Sequence, residues 1–419
     1  MSTKMNIHAD PEVTNAVKEL ALEEFEGAGS PGTGSVEKYR RLRAIGTRLW
    51  LDTGDLEAAS KVWSSEIDAL TTNNTLVNQV VQTGAMDSVI PSAAARIRAS
   101  RSDISDQELV IEIAFLVNAR LALGLVSKLG VHVSVELHPG TALNVEQTLV
   151  FARRYYEINP EYFYVKVPLT PDGFIAARRL SAEGIPVNYT LGFSARQNYL
   201  ATRFSMPSFV NVFLGRLNSV VEENGLGNPE NVGEKAALAS DEFVKELRKS
   251  RDDIPTSQIA ASIRHGGQVA TLAGVDVQTI PPKAAAEYLA MDIASDQIRK
   301  RTSQELDIEL AHDGLARVVD LNVLWDVDER FIGFVEDAVS QADEMVYGRD
   351  LMRVAREHGI NIFREWTNEE RRAIREHGKI PDLAQWPGAP IDDLMSISAL
   401  ESFAQDQSAL DDRIKSFLT

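Results

Sequence analysis

The chain has 419 residues, 44% of them hydrophobic and 25% charged, the composition of a globular protein built as one large domain with additions or as two domains. Its 61 acidic against 43 basic residues give a formal charge of −18, which argues against non-specific nucleic-acid binding and against anionic membranes, yet leaves room for an anionic small molecule held by local arginines. The absence of cysteine removes disulfides, thiolate zinc sites and thiol catalysis together. No apolar run is expected to reach the length of a signal segment or a membrane span, so a cytoplasmic location is the default expectation.

Residues 1–45 are polar and helix-prone, with a Gly-Ser-Pro break at Gly27–Gly34, and predict an N-terminal helical extension. From residue 46 short apolar runs alternate with helical stretches. The strand candidates are Arg48–Asp52, Ile67–Leu70, Val131–Leu137, Phe163–Pro168, Val187–Leu191, Phe209–Leu214, Ile259–Ile263 and Val275–Ile280. Asp106–Leu129 is the clearest helix between them, with Leu109, Ile113, Leu116 and Val117 on one face. Eight strands alternating with helices over about 240 residues predict an α/β fold, a (β/α)8 barrel over residues 46–315. A doubly wound sheet is the competing architecture, but no G-x-G-x-x-G follows any strand. After Pro282 the strand signal stops. Residues 284–315 and 330–358 read as helical, and residues 316–419 as a C-terminal helical extension with Trp366, Trp386 and a Pro/Gly-rich loop at Pro381–Pro390. The run Arg364–Arg375 reads as a solvated helix face. The tail has two readings, a cover over the barrel mouth or a subunit interface that would make the protein a homo-oligomer.

Lys166 stands out. It follows Tyr162-Phe163-Tyr164-Val165 and precedes Val167-Pro168, so it is expected at the C-terminal end of a buried strand, before a helix at Asp172–Glu183. Burial disfavours an ammonium, and a free amine is the nucleophile that forms Schiff bases with carbonyl substrates. The plainer reading is a lysine snorkelling to water.

Side chains alternate along a strand, so the neighbours can be sorted by parity. Arg48, Trp50 and Asp52 share a face; so do Ser134 and Glu136, Tyr164 and Lys166, Asn188 and Thr190, and Asn211 and Phe213. The opposite parity is apolar in all five strands, apart from the phenol of Tyr189. A polar interior with its functional groups toward the C-terminal strand ends is where barrel active sites lie. Beyond the seventh strand, Ser262-Ile263-Arg264-His265-Gly266-Gly267 opens a helix expected at Gln268–Ala273. Free backbone N–H groups there, with Arg264 and with Arg216 after the sixth strand, suit an anion such as phosphate. Alternatively, both arginines pair with acids of this acidic chain. Asp52 also reads as an N-cap, and Thr71–Thr75 as a cap cluster. A metal site is disfavoured: His132 and Glu136 lie about 13 Å apart along their strand, and His138 and Glu136 have no third partner.

With these residues in place, the chain resembles the transaldolase family of Schiff-base aldolases from about Trp50 to Pro282. The resemblance rests on Leu51-Asp52-Thr53-Gly54-Asp55, Leu70-Thr71-Thr72-Asn73, Val165-Lys166-Val167-Pro168, Val187-Asn188-Tyr189-Thr190-Leu191-Gly192-Phe193-Ser194, Phe213-Leu214-Gly215-Arg216, Ala261-Ser262-Ile263-Arg264 and Leu272-Ala273-Gly274. It implies a cofactor-free and metal-free enzyme that moves a three-carbon dihydroxyacetone unit between sugar phosphates, from sedoheptulose 7-phosphate to glyceraldehyde 3-phosphate. It implies Lys166 as the Schiff-base lysine, Asp52 as the acid–base carboxylate, and Glu136 and Thr190 as holders of the catalytic water. Asn73 and Asn188 would bind donor hydroxyls, Phe213 would line the donor site, and Arg216, Ser262 and Arg264 would bind phosphate. The family's plain aldolases tend to carry tyrosine in place of Phe213, which favours transfer. Departures from the family pattern fall at Asn74, Asn211-Val212, Leu137-His138-Pro139-Gly140 and Ile263, and in both extensions. Asn211 and His138 are expected where substrate hydroxyls would sit, and the Asn211 and Asn74 changes point to a Schiff-base aldolase, or a transaldolase-like enzyme, with a different, specialised substrate as the second reading. A non-catalytic family member is the third.

Overall fold

Runs of β-branched and aromatic residues bounded by turn residues form eight strands: β1 (Arg48–Asp52), β2 (Ile67–Thr71), β3 (His132–Glu136), β4 (Phe163–Pro168), β5 (Val187–Thr190), β6 (Phe209–Phe213), β7 (Ser257–Ala261) and β8 (Val277–Ile280). Each pairs in parallel with its sequence neighbour, and β8 pairs back onto β1, closing a (β/α)8 barrel. The structure, a computed structural model, describes residues 6–30 and 32–418. Residues 1–5 and Pro31 of the expected N-terminal extension therefore lie outside the described residues.

Before β1 come α1 (Pro11–Leu22) and α2 (Glu37–Ala44). Around the barrel run α3 (Leu56–Ser60), α4 (Asn74–Gln82), α5 (Val89–Ser100), α6 (Asp106–Leu129), α7 (Val145–Ile158), α8 (Pro171–Ala182), α9 (Ala195–Ser205), α10 (Leu214–Glu223), α11 (Val232–Ser250), α12 (Gly266–Thr271) and α13 (Pro282–Ala290). The tail adds α14 (Glu329–Ser340), α15 (Gly348–Glu357), α16 (Asn368–His377) and α17 (Ile391–Lys415).

Parity holds as expected. The residues of one parity, among them Leu49, Leu51, Val133, Val135, Val165, Val167, Val187, Tyr189, Val210 and Val212, are buried against the helices. The other parity fills the interior. Trp50 stacks on Tyr164 with centroids 5.6 Å apart and meets Phe209 edge-on at 4.7 Å, an aromatic floor beneath the polar layer. Lateral register then sets the polar groups side by side: Glu136 opposite Lys166, Lys166 opposite Asn188, and Asp52 opposite Thr71.

Several expectations change. The seventh strand lies at Ser257–Ala261 and stops where Ser262 takes a φ of 62°. Residues 291–328 are largely irregular rather than helical; Arg301 N donates to Ala273 O at 2.7 Å and Gly227 bridges Leu310, tying the segment to the barrel as an extended cover. Helix α6 is long and apolar enough to cross a membrane, with a mean hydropathy of 2.0, against the expectation that no run reaches that length. However, 78% of that window is buried inside the fold, as in the core helix of a barrel.

The tail is woven into the barrel. Every residue from Ile391 to Phe403 of α17 is buried, and the helix packs on α4 and α6. Its polar residues are answered one by one. Asp392 takes a two-pronged ion pair from Arg196, Ser396 Oγ donates to Leu191 O at 2.8 Å, and Asn74 donates to Gln407 at 2.7 Å. Glu401 accepts from Arg371 at 2.6 Å and Arg375 at 2.7 Å, so two cations of the run expected to be a solvated face are instead turned onto a buried carboxylate.

Candidate active site

Lys166 sits near the C-terminal end of β4 with 4% of its surface exposed. Its Nζ lies 3.2 Å from Glu136 Oε2 on β3 and donates to Thr72 O at 3.0 Å. The snorkelling alternative is thereby set aside, because the amine ends among buried groups. Burial pushes the Glu136 carboxyl above its ordinary value, partly offset by Lys166, with Asp52 adding to the rise. Asp52, on β1, accepts from Thr71 Oγ1 at 2.8 Å, and Thr71 is held in turn by Thr279 on β8 at 2.7 Å. Burial also raises Asp52, while Lys166, Thr71 and Arg264 oppose the shift. The capping role weighed for Asp52 belongs to Asp55, which accepts from Glu57 N and Ala58 N.

On β5, Asn188 donates to Ser134 Oγ at 2.9 Å, leaving its Oδ1 buried without a partner among the described residues. The buried Thr190 Oγ1 is likewise unpartnered. Asn73 caps α4 through Leu76 N at 2.9 Å and also lines the cavity, so the cap and binding readings are compatible. Asn211 is committed elsewhere than expected: it donates to Tyr189 O and accepts from Gly192 N at 3.1 Å, bracing β5 to β6.

A cavity of about 360 Å³ is lined by Asp52, Asn73, Lys166, Asn188, Asn211 and Phe213 at one end and by Arg216, Ser262 and Arg264 at the other; Glu136 and Thr190 are buried next to these groups but are not part of its lining. The arginine end is drawn tight by Gly215: a Cβ there would lie 2.2 Å from Ser262 O and 2.6 Å from Arg264 Nε. Burial, then the neighbouring Arg264, disfavours the charge on Arg216, so an anion between them would relieve both. The α12 N-terminus contributes less than expected. Gly266 N donates to Glu287 at 3.0 Å and Arg264 N to Gln268 at 2.7 Å, so anion binding would fall to the side chains. Leu191 and Ser262, at the ends of β5 and β7, both have positive φ without being glycine, strain stored beside the site.

His138 does not face the cavity. Its Nε2 lies 3.5 Å from Asp411 of α17, and with Asn74 it belongs to the barrel–tail contact. Sequence reasoning missed Thr279, whose interior parity on β8 was the available signal. It also missed Lys379, Ile380 and Phe403 of the tail, which line the cavity and had no local signal.

Fold and site together define a barrel enzyme with a buried amine at the strand ends. The family model described as Transaldolase/Fructose-6-phosphate aldolase matches residues 49–323, and the chain belongs to that family. It is 34% identical over 239 residues to a probable transaldolase of Thermus thermophilus, covering 56% of this chain and 86% of the relative. It is 29% identical over 286 residues to a transaldolase of Agrobacterium fabrum, covering 64% and 85%.

Proposed function

We propose that the chain is a Schiff-base transaldolase acting on sugar phosphates. The observation that carries this reading is the amine of Lys166, buried between Glu136 and Thr72 O, in one cavity with Asp52 and the two arginines. Lys166 Nζ attacks the ketose C2 carbonyl; its oxygen leaves as water and an iminium forms. Asp52 takes the proton of the C4 hydroxyl, the C3–C4 bond breaks, and its electrons pass into the iminium to give an enamine. The aldehyde product leaves. An acceptor aldehyde is attacked by the enamine carbon and takes the proton back from Asp52. Water then hydrolyses the new iminium and frees the amine. Glu136 and the unpartnered Thr190 Oγ1 suit the water that enters and leaves, and Asn73 and Asn188 suit donor hydroxyls. Arg216, Arg264 and Ser262 suit the distal phosphate, and no cofactor is required. A cytoplasmic location is part of the same reading.

Borohydride trapping with fructose 6-phosphate, read by intact mass and peptide mapping, tests it. A three-carbon adduct on Lys166, absent from Lys166→Met, is expected; a folded chain that gains no adduct refutes it. One observation favours a second reading, a Schiff-base aldolase for a specialised substrate. Asn211 is bulky, faces the donor end and has both amide atoms spent on the backbone. Normal turnover of fructose 6-phosphate with erythrose 4-phosphate would count against that alternative.

A further inference from the structure

We infer that Lys379, in the tail beyond the family match, is a third cation of the anion end of the cavity, with Ile380 and Phe403 roofing the same space. The inference rests on the sugar-phosphate reading and names residues of this chain that complete its site. Lys379 lies just after α16 and lines the cavity together with Arg216, Ser262 and Arg264. Its backbone is fixed by the site itself: Arg216 Nη1 donates to Lys379 O at 3.2 Å, and Ser398 Oγ of α17 reaches the same carbonyl at 3.4 Å. Gly378, at a φ of 126°, makes the reversal that delivers the segment. Phe403 packs its ring under the Arg216 guanidinium, 5.7 Å from the ring centroid, so the tail orients this arginine from two sides.

Three nearby tail cations are already paired. Arg371 and Arg375 are spent on buried Glu401, and Arg364 on Glu370. Lys379 is exposed and has no ion-pair partner among the described residues, although Glu223 lines the same cavity. In a chain of net charge −18, three cations gathered at one end of a cavity form a local positive field, which suits a dianionic phosphomonoester better than a neutral hydroxyl. Lys379 would act as a mobile point charge at the rim while the guanidiniums set orientation below.

The test uses the full chain, with inorganic phosphate as the calorimetric probe and a phosphorylated and an unphosphorylated ketose as kinetic probes. Lys379→Gln should weaken phosphate binding about tenfold, the scale of one charge-assisted contact, and Lys379→Arg should restore most of it. The kcat/KM of Lys379→Gln for fructose 6-phosphate should fall about tenfold more than that for fructose. Phosphate affinity within twofold of the unchanged chain in Lys379→Gln, alongside clear weakening in Arg264→Gln, would overturn the role of Lys379 and leave the anion site standing. Undiminished binding in both variants would overturn the anion site as well.

Discussion

Replacing Arg196 with methionine probes how the tail is held. Arg196 is 8% exposed and Asp392 is 0% exposed, and the two share contacts of 2.8 Å to each carboxylate oxygen. The same guanidinium donates to Asn361 O at 2.9 Å. Methionine keeps the apolar stem but leaves Asp392 with the Ser194 hydroxyl, at 2.8 Å, and its own helix. Breaking one side of a buried pair costs about 3–5 kcal/mol, because the remaining charge has lost its compensation. Removing both charges, as Arg196→Met with Asp392→Leu, should recover most of that loss, short of about 1 kcal/mol for the stranded Ser194 hydroxyl. Urea unfolding followed in parallel by tryptophan fluorescence, to which Trp50 and Trp63 of the barrel contribute as well as Trp325, Trp366 and Trp386 of the tail, and by far-ultraviolet circular dichroism measures the cycle. A single-variant loss below about 1 kcal/mol, or a double variant no better than the single, would refute the view that this pair clamps α17 to the barrel.

Other expectations concern proton traffic and the anion loop. Burial raises Asp52, and the proposed step needs its carboxylate form, so transfer should decline as pH falls through a value above the ordinary aspartate range; a pH–rate profile checks this. Asp52→Asn should lower transfer by about 10²–10⁴-fold and shift borohydride trapping toward a six-carbon adduct on Lys166. Burial pushes Asp393 up to about 7, with Asp392 adding to the rise and Trp366 and Arg364 opposing it. A carboxyl raised on folding stabilises fully below its unfolded value, and that contribution fades as pH climbs through the folded one. Thermal stability should therefore fall between about pH 4 and 7, and Asp393→Asn should flatten the fall. Gly215→Ala drives a methyl into Ser262 O; it should cost about 1–3 kcal/mol and raise KM for phosphorylated substrates, read by steady-state kinetics.

The barrel was legible because its strands carry two incompatible faces in strict alternation, and that pattern also turned Lys166, Asp52, Glu136, Asn188 and Thr190 to the barrel interior. Misread segments have physical causes. Ile263 extended the apparent seventh strand, but it is buried after the left-handed turn at Ser262 rather than within the sheet. Leu306, Ile308 and Leu310 alternate with polar residues, an extended pattern that prevails in the structure although the helix-forming composition around it suggests a helix. Asn74 and His138 looked like changes in substrate contacts because the sequence does not display their partners, Gln407 and Asp411, hundreds of residues away. The tail's entry into the cavity is the same kind of long-range fact.

That entry has a consequence for synthesis. The family-matched region ends at residue 323, yet Phe403 completes the cavity wall 80 residues later (403 − 323). At about 5–20 residues per second a ribosome spends roughly 4–16 s on that stretch. A nascent chain can thus contain every strand of its barrel while the arginine end of the pocket still lies open, and the finished site appears only once the last long helix has been made and has docked.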